Sequence, residues 1–217
     1  MSSAPLTFVE RTADGAARGL LLLLHGVGAS EQSLAAVAME QDPALHVILP
    51  RGPLAFAAGA FGWFQVQFGP HGPVIDPRQA EASRHLLIGF VAGQQQRLGL
   101  APARTAIAGF SQGGIMSASV GLTSPGSVAG LAILSGRILP EIEPLVPADA
   151  GAHGLQALVM HGRRDGKLPF PLAERSAERL RHFGVAHELR AYDEEHALNP
   201  QMRADFRDWV ERLLAPA

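Results

Sequence analysis

Six apolar runs of strand length recur along the chain: Gly19 to Leu24, Leu45 to Leu49, Thr105 to Ala108, Val128 to Leu134, Leu155 to Met160 and Ala186 to Ala191. Most lack the apolar–polar alternation of a half-buried strand, so they read as strands covered on both faces. Between them lie helical stretches at Gln32 to Gln41, Pro77 to Leu98, Gly113 to Leu122, Phe170 to Phe183 and Asn199 to Leu214. Asp76-Pro77 supplies an N-cap and a first-turn proline, and Gly184 stands where a helix C-cap glycine belongs. Strand and helix thus alternate through almost the whole chain. This order specifies an α/β architecture, a mostly parallel, doubly wound sheet with helices on both faces. Leu6 to Arg11 is expected to add an edge strand.

Two stretches interrupt the rhythm, Pro50 to Ile75 and Gly136 to Gly154, and both read as loops forming walls of a site. The chain has 217 residues, enough for one domain with a full-sized core. It carries 18 basic and 20 acidic side chains, so no global field attracts nucleic acid or an anionic membrane. It has no cysteine, which removes disulfides, thiolate metal sites and a cysteine nucleophile, and agrees with a reducing compartment. Met1 to Arg11 lacks a basic region followed by an apolar stretch, and no apolar run is long enough to span a bilayer. The expectation is a cytoplasmic protein without stable membrane insertion.

Gly109-Phe110-Ser111-Gln112-Gly113 fits G-x-S-x-G, placed after one strand and before a helix. A serine in so tight a turn adopts strained dihedrals, and small neighbours two residues away let the chain fold sharply. Ser111 is therefore the candidate nucleophile; a Gly-rich turn with a capping serine is the bland alternative. Acyl transfer also needs backbone donors for an oxyanion, and the N–H groups of Gln112 and Val27 stand where the two are expected. Gly26 and Gly28 give the Val27 loop room to turn. His25 reads as a structural histidine at a strand end.

Chain order serine, acid, histidine removes every histidine before Ser111. Among the others, His196, between the last strand and the last helix, is the strongest candidate base. Asp165 follows the strand Leu155 to Met160 and is the candidate acid that would accept from the imidazole and fix its tautomer. Asp193 and Glu195 are its rivals, although they lie too near His196 in sequence to reach behind its ring easily. Gly162 to Lys167 falls short of a phosphate loop by one residue and lacks the following Ser or Thr. Arg163 and Arg164 read as surface charges, with an anion-selective mouth as the alternative.

These residues resemble the phospholipase/carboxylesterase family of α/β-hydrolases, which includes acyl-protein thioesterases and small bacterial carboxylesterases. The resemblance rests on LLLLHGVG at 21–28, GFSQGG at 109–114, LSG at 134–136, HGRRDGKLP at 161–169 and EEHAL at 194–198. It implies a single α/β-hydrolase domain over residues 1–217 with a minimal cap or none, and a triad of Ser111, Asp165 and His196. It further implies cofactor-free hydrolysis of short- to medium-chain acyl esters, with acyl thioesters or lysophospholipids as alternatives and a non-catalytic binding protein as the remote one. The partner is then a small-molecule acyl ester and not nucleic acid; a homodimer is compatible with this reading. Two departures stand out. Glu195 precedes the histidine where the family usually has glycine, and the segment after Pro50 reads RGPLAFAAGAFGWFQVQF. Within it Trp63, Phe64 and Phe68 are assigned to an acyl pocket, with a local loop core as the alternative.

Overall fold

The structure, a computed structural model, describes residues 6–69 and 72–215. In chain order it contains β1 (Phe8–Arg11), β2 (Gly19–Leu24), α1 (Ala35–Met39), β3 (Leu45–Pro50), β4 (Leu54–Ala57), β5 (Ala60–Gly62), β6 (Val66–Gly69) and β7 (Gly72–Ile75). There follow α2 (Pro77–Leu98), β8 (Thr105–Phe110), α3 (Gln112–Thr123), β9 (Gly130–Leu134), β10 (Gln156–Gly162), α4 (Pro171–His182), β11 (Ala186–Tyr192) and α5 (Pro200–Leu213).

Seven strands form one sheet in the order β1-β3-β2-β8-β9-β10-β11. The edge strand β1 pairs antiparallel to β3, and all other neighbours are parallel. Successive residues of each inner strand point to opposite faces, and both faces are dry. Leu20, Leu22, Leu24, Ile107 and Ile133 pack with α2, α3 and α4, while Leu21, Leu23, Ala106, Ala108 and Ala132 pack with α1 and α5. The alanines on the second face leave room for Phe206 and Trp209 of α5. Burial on both sides is why these strands read as unbroken apolar runs.

The helix starts follow local chemistry. The Asp76 carboxylate accepts from the N–H groups of Arg78 and Gln79 ahead of α2, and Asn199 accepts from Met202 N–H ahead of α5. Gly99 and Gly184 take left-handed conformations just beyond α2 and α4. One helix is shorter than the sequence suggests. Only Ala35–Met39 is helical of the expected Gln32 to Gln41; no side chain caps this helix, and the Ser33 hydroxyl instead accepts from Ser30 N–H in the preceding turn. The segment expected as an open loop, Pro50 to Ile75, is folded into two antiparallel hairpins, β4-β5 and β6-β7.

Chain order reverses between β2 and β8, which lie side by side although β3 intervenes in sequence. At such a switch point the connections leave in opposite directions and open a crevice at the carboxyl ends of the strands. The His25 to Gly28 loop and Ser111 both emerge there.

Candidate active site

Ser111 stands between β8 and α3 with φ 55° and ψ −116°, a region L-residues rarely occupy. Close packing holds it there. A Cβ at Gly113 would fall 2.0 Å from Leu24 O, and one at Gly109 would fall 2.3 Å from the Gly113 carbonyl carbon, so neither position admits a side chain. Ser111 N–H donates to Leu134 O at 2.8 Å, tying the turn to β9. The residue after Leu134, Ser135, is the other described non-glycine residue with positive φ, at 50°. Its neighbour Gly136 abuts the elbow so closely that a Cβ would lie 2.9 Å from Ser111 O. Two strained serine turns thus adjoin, the second of them within the LSG at 134–136.

The structure brings His196 and Asp165 to this serine. His196 Nε2 lies 2.9 Å from Ser111 Oγ, and His196 Nδ1 lies 2.6 Å from Asp165 Oδ2. The two supporting loops are joined by backbone: Arg163 N–H donates to Tyr192 O and Arg164 N–H to Glu194 O. The Phe110 ring packs on the imidazole with centroids 4.9 Å apart. The other Asp165 oxygen, Oδ1, accepts from Lys167 N–H at 2.9 Å and Leu168 N–H at 2.8 Å, which fixes the carboxylate. The rival Asp193 instead pairs with Arg164 at the surface.

His161, at the end of β10, supports the acid from behind. It is fully buried behind Asp165, its Nε2 2.7 Å from Leu168 O and 3.2 Å from Asp165 Oδ2. Burial pushes its pKa below the ordinary histidine range and favours the neutral ring. His25 is also buried. Its Nε2 accepts from Gly52 N–H at 2.9 Å, so Nδ1 carries the proton and donates to Gly26 O at 2.8 Å. Desolvation lowers its pKa too, and both ring nitrogens are used to fix the loop.

The N–H groups of Val27 and Gln112 donate to no protein acceptor among the described residues. Both residues line the cavity over Ser111. The Gln112 side chain serves the scaffold instead, since its Oε1 accepts from Trp63 N–H at 2.8 Å and its Nε2 donates to Phe64 O at 2.7 Å. It anchors the segment before β6 to the start of α3, a role that the backbone-centred motif does not reveal.

The cavity is about 540 Å³. Leu34 and Val37 line one side, and Phe64, Val66, Ile75 and Ile115 line another. Phe64 is thus a wall residue. Trp63 is not: it is fully buried beneath the wall, where its indole N–H donates to His25 O at 2.9 Å. Trp63 and Phe64 lie in a bend between β5 and β6, and only Phe64 reaches the cavity. Phe68 lies on β6, and its side chain is outside the described residues.

Arg163 and Arg164 are exposed, the surface charges that the sequence reads them as. Arg163 stacks over the Phe170 ring and Arg164 pairs with Asp193, and neither lines the cavity. Arg137, Lys167 and Arg203 do.

The family model described as Phospholipase/Carboxylesterase matches residues 7–214. A curated relative, acyl-protein thioesterase 1 of Emericella nidulans, is 27% identical over 125 residues, covering 56% of this chain; the match spans about half of that relative, 52%. Among solved structures, the carboxylesterase from Mesorhizobium loti is similar with a TM-score of 0.78 at 25% identity, covering 92% of this chain and 90% of that one. Esterase PE8 gives a TM-score of 0.82 at 24% identity, covering 97% of this chain and 100% of that one. The sheet and helices therefore have the fold of these esterases.

Proposed function

This chain belongs to the phospholipase/carboxylesterase family, and from that premise we propose that it is a serine hydrolase of short- to medium-chain acyl esters. The observation that carries the reading is the line of contacts from Asp165 through His196 to Ser111, at 2.6 and 2.9 Å.

In this mechanism His196 Nε2 takes the Ser111 hydroxyl proton as Oγ bonds to the ester carbonyl carbon. Asp165 accepts from Nδ1–H and stabilises the imidazolium. The Val27 and Gln112 N–H groups hold the oxyanion, aided by the positive end of α3. Collapse of the tetrahedral adduct breaks the bond to the leaving alcohol, which receives the proton from Nε2. Water then repeats the sequence on the acyl-serine, with its proton passing to His196 and on to Ser111, and the carboxylic acid leaves. No cofactor enters these steps.

The cavity of about 540 Å³ suits a small acyl ester. No helix among the described residues is long and apolar enough to cross a membrane, and the lack of cysteine supports a cytoplasmic setting. Acyl-thioester hydrolysis is the second reading, favoured by the likeness to an acyl-protein thioesterase.

Replacement Ser111→Ala is expected to abolish both p-nitrophenyl ester turnover and labelling by a fluorophosphonate. Near-normal turnover by this variant would refute the assignment. Parallel rates on an acyl ester and its thioester decide between the two readings.

A further inference from the structure

We propose that the Ser111 cavity selects substrates bearing an anionic group, a carboxylate or a phosphate, and that Arg137 and Lys167 receive it. The inference rests on the hydrolase reading above and names its substrate class.

Among the described residues, the cavity wall contains three cationic side chains and no Asp or Glu, although the chain as a whole has a net charge of −2. Cationic side chains thus outnumber acidic ones on this wall, whereas acidic side chains outnumber basic ones in the chain. The three cations differ in what already holds them. Arg203 pairs with Glu40 at 2.8 Å and is neutralised. Neither Arg137 nor Lys167 forms an ion pair among the described residues.

Of the two without an ion pair, Lys167 is exposed and Arg137 is half-buried. A guanidinium stays charged at any physiological pH, so burying it without a counter-charge costs free energy. Its Nε is buried and has no hydrogen-bond partner. Burial displaces its pKa downward, and the carboxylate whose field acts on it, exposed Glu141, makes no ion pair with it. Its backbone is nevertheless held firmly. Gly136 packs on the Ser111 carbonyl, and Ile138 N–H donates to Ser176 Oγ at 3.0 Å. A half-buried guanidinium without an ion-pair partner, carried on a held backbone beside a nucleophile, offers paired donors that match the two oxygens of a carboxylate or phosphate.

Lys167 adds a second charge from the loop that carries Asp165, with its side chain exposed at the cavity. It is the single lysine of the chain. Phe64, Val66 and Ile115 leave apolar wall for the hydrocarbon of the same molecule. The ligand that fits is a short hydrocarbon ester with one negative group.

The test uses two matched pairs. p-Nitrophenyl hemiglutarate against p-nitrophenyl pentanoate presents a carboxylate, and 1-butyrylglycerol 3-phosphate against 1-butyrylglycerol presents a phosphate. The expected result is a ratio of kcat/KM, anionic over neutral, of about tenfold or more for at least one pair, the scale of a charged hydrogen bond. The pair that shows it identifies the source of the charge. Arg137→Gln should bring the ratio close to one, Arg137→Lys should restore part of it, and Lys167→Gln, at an exposed position, should reduce it. Arg212→Gln, outside the cavity, should leave it as it was.

Calorimetry with glutarate and inorganic phosphate reads the subsite without turnover, and works equally in Ser111→Ala. A ratio at or below one for both pairs, or the same ratio in wild type and Arg137→Gln, overturns the proposal. So does the absence of Arg137-dependent binding of both anions. If all four esters resist hydrolysis while Arg137-dependent anion binding persists, the subsite stands and the hydrolase reading is the one that fails.

Discussion

Asp165 and His196, 31 residues apart in sequence, meet at 2.6 Å, and the carboxylate has no freedom to turn away. Its second oxygen accepts from two consecutive backbone N–H groups, those of Lys167 and Leu168. An asparagine here would keep its carbonyl oxygen on those two donors and present its amide NH₂ to His196. The imidazole would then bear its proton on Nε2, where it could no longer accept from Ser111. Asp165→Asn is expected to reduce kcat by about 10³- to 10⁴-fold, the scale of losing tautomer control in a serine–histidine–acid set. The rate of fluorophosphonate labelling should fall in step. A loss below tenfold would show that the pair does not act in this way.

Gln112 joins two parts of the site through its side chain while its backbone N–H remains available for the oxyanion. Removing the amide in Gln112→Ala leaves Trp63 N–H and Phe64 C=O without their partners. Each orphaned buried group costs about 1–3 kcal/mol. A drop in unfolding free energy on the order of 2 kcal/mol or more is expected, measured by urea titration. Because Phe64 is part of the cavity wall, KM for a p-nitrophenyl ester should rise by a larger factor than kcat falls. Unchanged stability would mean that the 63–64 segment is held by other contacts.

Stability should fall as the medium is acidified. His25 and His161 both have pKa values lowered from 6.5, chiefly by burial. As pH drops below 6.5 the unfolded chain takes up protons that the native state refuses, so unfolding becomes more favourable. Their contribution is present above that pH and is lost toward the depressed native values. Glu31 and Glu10, held low by hydrogen bonds from Arg51 and Arg97, extend the decline below 4.5. Urea midpoints at pH 8, 6 and 5 should therefore decrease in that order. Equal midpoints at pH 8 and 5 would count against neutral buried histidines.

The sequence by itself determined the parts governed by local rules. Unbroken apolar runs required strands buried on both faces, and the strand expected at Gly19 to Leu24 and the helix at Pro77 to Leu98 have the bounds observed. Gly109 and Gly113 marked the turn at Ser111, because a side chain at either would strike backbone. Asp76-Pro77 marked a helix start for the same kind of reason, one set by neighbours a few residues away.

Tertiary structure decided which side chains face each other across distant loops. It put Phe64 on the cavity wall and Trp63 in the core, a choice set by which side of the segment meets Gln112 and His25. It placed His161 behind Asp165, and it brought Arg137 to the cavity. No spacing encodes these outcomes. A charge's environment depends on what the folded chain packs beside it, and those neighbours come from strands that adjoin in the sheet but lie tens of residues apart in sequence.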